Sequence, residues 1–469
     1  MVDQSADFSE RWSFMTEKKK NFRLYEVVLS VITIVFVAEA AAPAAAIGNS
    51  QYFWWVFLIL AFLLPYGLIA AELGSAYQDE GGLYDWIKRA FGPKWGARAA
   101  WYYWINYPLW MSSLAVIFPE VITSISGNEI SVFWATVIEL AFIWTVVFIS
   151  LFRVSDSKWI LNLSAVIKVF IALVLGCLGL YVAFTRGMAT EFTWNSLLPS
   201  MNLSSLAYVS VILFNFMGFE VLNSFTSEME NPRRQVPQAI VAGGIAIAFL
   251  YIFSSFGIGV AIPAEEINTS NGLVESLQLL TGTTMGTFIT IMGTLFLISL
   301  VGNMLSWSYG VNYVASYAAK NNSMPAIFGR LNEKTGMPLG APIINGVVAS
   351  TLVVIAPFLP SQDLFWNFFA LNIVTLLLAY VPVFPAFLRL RQIDPDHERP
   401  FKVAGSEFRL KLIAYLPMFL LIISIIFSVV PLELSAEELS FKIPLTVGTI
   451  LAVIVGEIMA ARAVRVSNE

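Results

Sequence analysis

The sequence is short of the residues on which most soluble chemistry depends. It holds one cysteine and one histidine in 469 residues. A lone cysteine, Cys177, excludes an intrachain disulfide and a cysteine-based metal site. It lies in an apolar run and is expected to be a small buried core residue. A lone histidine, His397, excludes a multi-histidine metal centre, and its polar surroundings at 394–400 predict a solvated loop residue. No Ser/His/Asp or Cys/His set and no metal cluster can be assembled, so neither an enzyme nor a cofactor is expected. Charge is scarce as well. Asp, Glu, Lys and Arg make up 13% of the chain, about half the roughly 25% of soluble domains.

Apolar residues fill the space that charge leaves. They account for 58% of the chain, against roughly 45–50% in soluble domains. A bilayer crossing takes about 20 consecutive apolar residues. This composition excludes a soluble enzyme, a nucleic-acid binder and a disordered chain, and it points to a polytopic helical protein embedded in lipid. Twelve apolar runs can be read, over 24–47, 52–77, 98–124, 130–152, 159–185, 204–226, 236–262, 282–316, 340–360, 363–390, 411–431 and 442–462. The expected fold class is therefore an all-α membrane protein with twelve transmembrane helices. No cleavable signal peptide is expected, because the first run follows a polar tail and is too long for a signal core.

Basic residues fix the expected orientation. Of the 27 Lys and Arg, 24 fall in the two tails and the even-numbered connections. Arg186 and Lys442 fall on the opposite side, and Lys168 lies within a run. Positive charge collects on the cytoplasmic side, so both termini are expected there, with the protein in the plasma or inner membrane. The expected organisation is a tail at 1–23, a core at 24–390, two peripheral helices at 411–462 and a tail at 463–469. The core divides into halves at about 24–185 and 204–390.

Two runs are interrupted at corresponding places. The first reads Val37-Ala-Glu-Ala-Ala-Ala-Pro-Ala-Ala-Ala-Ile-Gly48, which sets Glu39 and Pro43 at mid-depth. The proline lacks an N–H and disfavours helix at Ala42. The sixth reads Phe214-Asn-Phe-Met-Gly-Phe-Glu220, which sets Gly218 beside Glu220. Paired breaks five runs apart predict a five-plus-five inverted repeat with broken helices one and six, and a binding site between them. Unwound backbone at Ala40, Ala41 and Gly218 would contact the substrate. Ionisable residues within spans are functional candidates, and Glu39, Glu220 and Lys168 lie deepest. Glu120, Glu139 and Glu457 read as nearer span ends, with snorkelled or capping roles. Glu72 and Glu228 read as braces for gates or loops.

Three ordered motifs carry a family resemblance over nearly the whole chain. The first is Ala71-Glu-Leu-Gly74, Glu80-Gly-Gly-Leu-Tyr-Asp-Trp86 and Phe91-Gly-Pro-Lys-Trp-Gly96. The second is Glu228-Met-Glu-Asn-Pro-Arg-Arg-Gln-Val-Pro237, and the third Met324-Pro-Ala-Ile-Phe-Gly-Arg-Leu-Asn332. In these the chain resembles the amino acid–polyamine–organocation transporters. The pattern Leu64-Pro65-x-Gly67-Leu-x-Ala-Ala-Glu72, with Ala38-Glu39 upstream, looks most like the glutamate/GABA antiporter branch. That branch includes exchangers of amino acid precursors for their amine products. The resemblance implies a secondary transporter of a small amino acid or amine, working by alternating access on the five-plus-five fold. It places Phe214 and Phe216 as aromatic lids, Trp307 as a pocket wall, and Tyr103 and Trp104 as a further aromatic pair. Glu220 is then the sixth-helix glutamate that carries or senses a proton. Lys168 resembles the fifth-helix lysine of proton-coupled members, which ties span five to span one.

The chemistry of these residues narrows the substrate. Aromatic faces attract cations, and a buried carboxylate such as Glu39 calls for a cationic partner. The deep acids Glu39 and Glu220 outnumber the one deep base, Lys168. A cationic amine therefore ranks first, with agmatine against putrescine as the sharpest reading. Tyrosine/tyramine or glutamate/GABA exchange, a proton-coupled amino acid importer, and an amino-acid sensor on the same fold are the alternatives. A disulfide-linked heavy chain is not expected, since no external cysteine is present. For topology, a cysteine introduced at Ser270 should label from outside and one at Ser323 from the cytoplasm only.

Overall fold

The computed structural model of the chain describes residues 22–79, 81–189, 191–199, 203–267, 272–358, 364–431 and 434–468. Among these residues the chain is helical throughout, with two isolated backbone bridges, Phe22 to Met229 and Leu331 to Pro338, in place of sheet. Ten helices are long and apolar enough to cross a bilayer, among them Gly48–Ala76, Pro93–Ser126, Pro232–Gly259 and Thr287–Lys320. The bent pair Leu24–Val35 and Ala38–Ala45 makes an eleventh when read as one span. The sixth run supplies a shorter apolar helix, Val209–Asn223. The protein is thus a multi-pass membrane protein. Short helices at Gly82–Phe91 and Gly272–Thr281, which the apolar runs do not signal, pack against the ends of the spans. Gly272 lies directly against Ala42.

Both expected interruptions are present, but the first lies elsewhere than its proline. The helix Leu24–Val35 ends at Phe36 and Val37, both with extended backbone. A tight turn at Ala38–Ala40 and a helix at Ala41–Ala45 follow, at 45° to the first segment. Ala42 is therefore helical, and Pro43 sits in the opening turn of the restarted helix, where a missing N–H costs nothing. In the sixth run, Leu203–Phe214 gives way at 215–218 to a 3₁₀ stretch, Phe219–Glu228. Gly218 takes φ of 118°, a left-handed value open to glycine, and a β-carbon there would meet the Trp307 ring at 3.0 Å.

Three sequence expectations need correction. Cys177 is exposed on the helix Val154–Arg186, where burial was expected. Glu139 lies in the middle of Val132–Ser150, not near its end, and is 8% exposed. His397 is half-buried against Tyr77, with ring centroids 4.4 Å apart. Others keep their places. Glu457 holds Arg98 in a two-pronged pair at 2.6 and 2.7 Å. Buried Glu72 accepts from Arg391 Nε at 2.7 Å and from the Val403 amide at 2.7 Å, which braces the loop after the tenth run. The Glu228 side chain lies outside the described residues.

The labelling test needs new positions. Ser270 lies outside the described residues, and Ser323 is 2% exposed, bonded to the Tyr84 hydroxyl at 2.9 Å. Thr283 and Ala326 are exposed on the corresponding connections. In a Cys177→Ser background, Thr283→Cys should react with an impermeant maleimide from outside intact cells. Ala326→Cys should react only after permeabilisation. The opposite pattern would reverse the orientation.

Candidate functional site

The break in the first run frees the last carbonyls of a helix within a medium that offers no water. Each unsatisfied group there costs several kcal/mol. The Ile32 carbonyl keeps its helical partner, the Phe36 amide at 2.9 Å. The next four are met by side chains from other spans. Lys168 donates to the Thr33 carbonyl at 2.6 Å and to that of Phe36 at 2.5 Å. Trp307 Nε1 donates to the Ile34 carbonyl at 2.8 Å, and the Tyr251 hydroxyl donates to that of Val35 at 2.8 Å. The same hydroxyl accepts from the Val37 amide at 2.7 Å, on the far side of the break. An ammonium has three donors, and the third reaches Asn303 Oδ1 at 2.7 Å. Lys168 is thus saturated, and the broken helix is locked to the fifth, seventh and eighth runs.

Glu220, at the break of the sixth run, has a partner on each oxygen. One carboxylate oxygen accepts from the Tyr66 hydroxyl and the other from Tyr103 at 2.7 Å. Tyr66 in turn accepts from the Phe219 amide at 3.2 Å, and its ring lies 5.6 Å from that of Tyr380. This cage joins the second and third runs to the sixth.

Glu39 differs from both. Its side chain is 4% exposed, within electrostatic reach of Lys168, and neither carboxylate oxygen meets a hydrogen-bond partner. A buried carboxylate without a partner is costly. Other buried polar atoms of the spans share this condition. Both amide atoms of Asn215 and of Asn372, Oδ1 of Asn106, and the indole nitrogens of Trp55 and Trp110 are buried and unpartnered.

The predicted aromatic residues divide into two groups. Trp307 lies 6.2 Å from Tyr103 and 5.3 Å from Trp110, and Trp110 stands edge-on to Phe214 at 5.2 Å. Phe216 belongs to a second group, 5.5 Å from Trp55 and 6.1 Å from Tyr251. Trp104 joins neither. It packs on Trp101 at 5.4 Å and Phe328 at 4.8 Å, because successive residues of a helix point in different directions. Ala40 and Ala41, buried beside Glu39, belong to the turn and the restarted helix. The residues that sequence reading missed are Tyr66, Tyr251, Asn303, Asn215 and Asn372. The only signal for the asparagines was an amide in an apolar run.

Comparison with known proteins identifies the family. The profile of the amino acid permease family matches residues 22–455. A probable agmatine/putrescine antiporter, AguD, of Lactococcus lactis is 55% identical over 452 residues, covering 96% of this chain and 97% of its own. An uncharacterised transporter of Legionella pneumophila is 25% identical over 427 residues, covering 89% and 91% of the two chains. A probable polyamine transporter of Arabidopsis thaliana is 23% identical over 390 residues, covering 81% and 72%. A broken first helix held by a saturated lysine, a broken sixth helix with a caged glutamate, and a family profile over most of the length converge. The chain is a transporter and belongs to the amino acid permease family.

Proposed function

We propose that the protein exchanges agmatine for putrescine across the cell membrane by alternating access. The observation that carries this reading is Glu39, a buried carboxylate with no hydrogen-bond partner at the break of the first run. A cationic group is the ligand that such a carboxylate lacks. The rings of Phe214, Phe216 and Trp307 and the free amides of Asn215 and Asn372 suit a slender amine with a polar head. The name of the Lactococcus relative, at 55% identity, supports the same pair. In this reading the chain has twelve spans, two inverted five-helix halves at about 24–185 and 204–390, two peripheral helices and both termini in the cytoplasm. Glu220 and its tyrosines act as a latch, and Lys168 takes part in proton coupling.

Counterflow in proteoliposomes tests the assignment. Vesicles loaded with putrescine should accumulate labelled agmatine, and empty vesicles should not. Wild-type exchange driven by glutamate or tyramine in preference to either amine would overturn the pair. Glu39→Gln keeps the shape and removes the charge. It should weaken agmatine and putrescine about 10–100-fold, the ~1.5–3 kcal/mol of a hydrogen bond to a charged group. A neutral zwitterion should lose less, because backbone groups still hold it. Unchanged amine affinity in this variant would remove Glu39 from the site.

Lys168 gives a second test. Lys168→Ala leaves two helix-end carbonyls and Asn303 without their donor. Exchange should fall more than tenfold in protein that still elutes as a folded monodisperse carrier, at about 1–3 kcal/mol per lost partner. Lys168→Arg should restore folding better than rate, since arginine keeps its proton and its planar fork does not match three converging oxygens. Normal pH-dependent exchange by Lys168→Ala would rule out the role.

A further inference from the structure

The second run carries an irregularity that the site described above does not use. Pro65 has no N–H to give to the carbonyl one helical turn back. Just before it the helix widens, over Ile59–Leu63, and the Leu64 amide donates to the Ile59 carbonyl five residues earlier. Widened turns of this kind recur at functional sites. Here the widened wall faces the helix Pro232–Gly259, and the two enclose a groove of about 310 Å³. That volume falls at the lower end of ligand sites, roughly 300–1,000 Å³.

Two glycines make the groove deep. A β-carbon on Gly67 would lie 3.5 Å from Ile240 and 3.8 Å from Phe219, and one on Gly244 would lie 3.6 Å from Phe219. Without those carbons, the Phe219 ring forms the floor. Every side chain that lines the groove is apolar. Leu64, Val241 and Ile245, at its mouth, are exposed. The walls run over 59–71 and 240–248, about the middle of the spans Gly48–Ala76 and Pro232–Gly259.

Depth and chemistry together select the occupant. At the middle of a span the medium is hydrocarbon, and water and polar headgroups stay near the surfaces. A groove without a polar side chain offers an amine or a headgroup nothing to bind. The mouth between Leu64 and Ile245 opens sideways into that hydrocarbon, where lipid tails are the partners at hand. Without atoms above them, the glycines and the Phe219 ring would lose dispersion contacts on one side. A lipid tail lying in the groove restores those contacts.

The floor sets this groove apart from ordinary lipid-facing surface. Phe219 opens the 3₁₀ stretch after the sixth break. Its amide donates to the Tyr66 hydroxyl at 3.2 Å, and its ring lies 5.5 Å from that of Tyr66. The same hydroxyl donates to Glu220. We propose that the groove binds one acyl tail of a membrane phospholipid, packed on Phe219 between the second and seventh runs. The tail thereby touches the element that holds the Glu220 carboxylate. The site requires only that the protein spans a membrane, and it is independent of the substrate pair.

Photo-crosslinking tests the site. The purified full chain is placed in nanodiscs of phosphatidylcholine that carries a diazirine near the end of one acyl tail, irradiated, and mapped by peptide mass spectrometry. Leu64 and Ile245 should be labelled as exposed residues of the spans. Label should also reach the floor, at Gly67 or Phe219. Gly244→Leu places a side chain in the groove from a position where the first added carbon meets its neighbour at ordinary contact distance. It should cut floor labelling about tenfold, as for a loss of about 1.4 kcal/mol in affinity, and leave Leu64 and Ile245 labelled. Gly244→Ala, a single methyl, should give a smaller loss. A wild type labelled at Leu64 and Ile245 but not at the floor would overturn the site. Floor labelling that both variants leave unchanged would do the same. A second copy of the protein is the rival occupant. In a Cys177→Ser background, Ile245→Cys that forms intermolecular disulfides while the floor stays unlabelled would assign the groove to that copy and overturn the lipid tail.

Discussion

The structure depends on how a helix is ended inside lipid. Four consecutive carbonyls, from Thr33 to Phe36, face away from any continuing helix, and each accepts from a donor on another span. A soluble protein could leave such groups to water. Here the alternative costs several kcal/mol per group, so the donors must be built in. Lys168, Tyr251 and Trp307 come from the fifth, seventh and eighth runs, and the break is therefore a joint assembled by three helices. The first run cannot tilt by small continuous steps without exposing a carbonyl. In the proposed alternating access, movement of the first run would have to exchange this set of donors for another.

Three deep charges sit within this joint and its counterpart, and their neighbours give them separate roles. Lys168 uses all three of its protons on oxygens of the protein. Glu220 uses both oxygens on tyrosine hydroxyls. Glu39 uses neither. These two partnered charges tie spans together, one at each break, and the acid without hydrogen bonds is the one that the proposed function gives to the ligand. The same logic sorts the aromatic residues. Trp307 gives its N–H to the backbone of the first run and offers its ring, whereas Trp110 keeps an indole nitrogen free.

The sequence made the charged residues legible and most of their partners invisible. Glu39, Lys168 and Glu220 stand out because a charge in an apolar run is expensive and rare. Tyr66 and Tyr251 do not, since tyrosine is common in such runs and their acceptors lie more than 150 residues away along the chain. Asn303 fell between serines and a glycine and gave no periodic signal. The first break was assigned to Pro43 because proline is the strongest local breaker, but the chain unwinds at Phe36 and Val37, where the foreign donors are. Tertiary contacts, not propensity, set the position. Cys177 was misplaced for a related reason. In a soluble core an apolar neighbourhood implies burial, whereas in lipid it fits the outside equally well.

Under the proposed function, the carboxylate without hydrogen bonds also gives a physical reason for exchange rather than one-way transport. A carrier that reorients empty would carry Glu39 through a closed state in which it is 4% exposed and unpaired. A buried carboxylate without hydrogen bonds is costly even with Lys168 in electrostatic reach, and every 1.4 kcal/mol slows a step about tenfold. A cationic amine on Glu39 removes that cost and brings its own positive charge into contact with the acid. The loaded carrier then crosses the closed state readily, and the empty one is held back. Either amine of a precursor–product pair satisfies the condition, because both present a cation to the same oxygens. Under the proposed function, coupling of the two fluxes rests on one missing hydrogen-bond partner, with no separate gate that senses which substrate is bound.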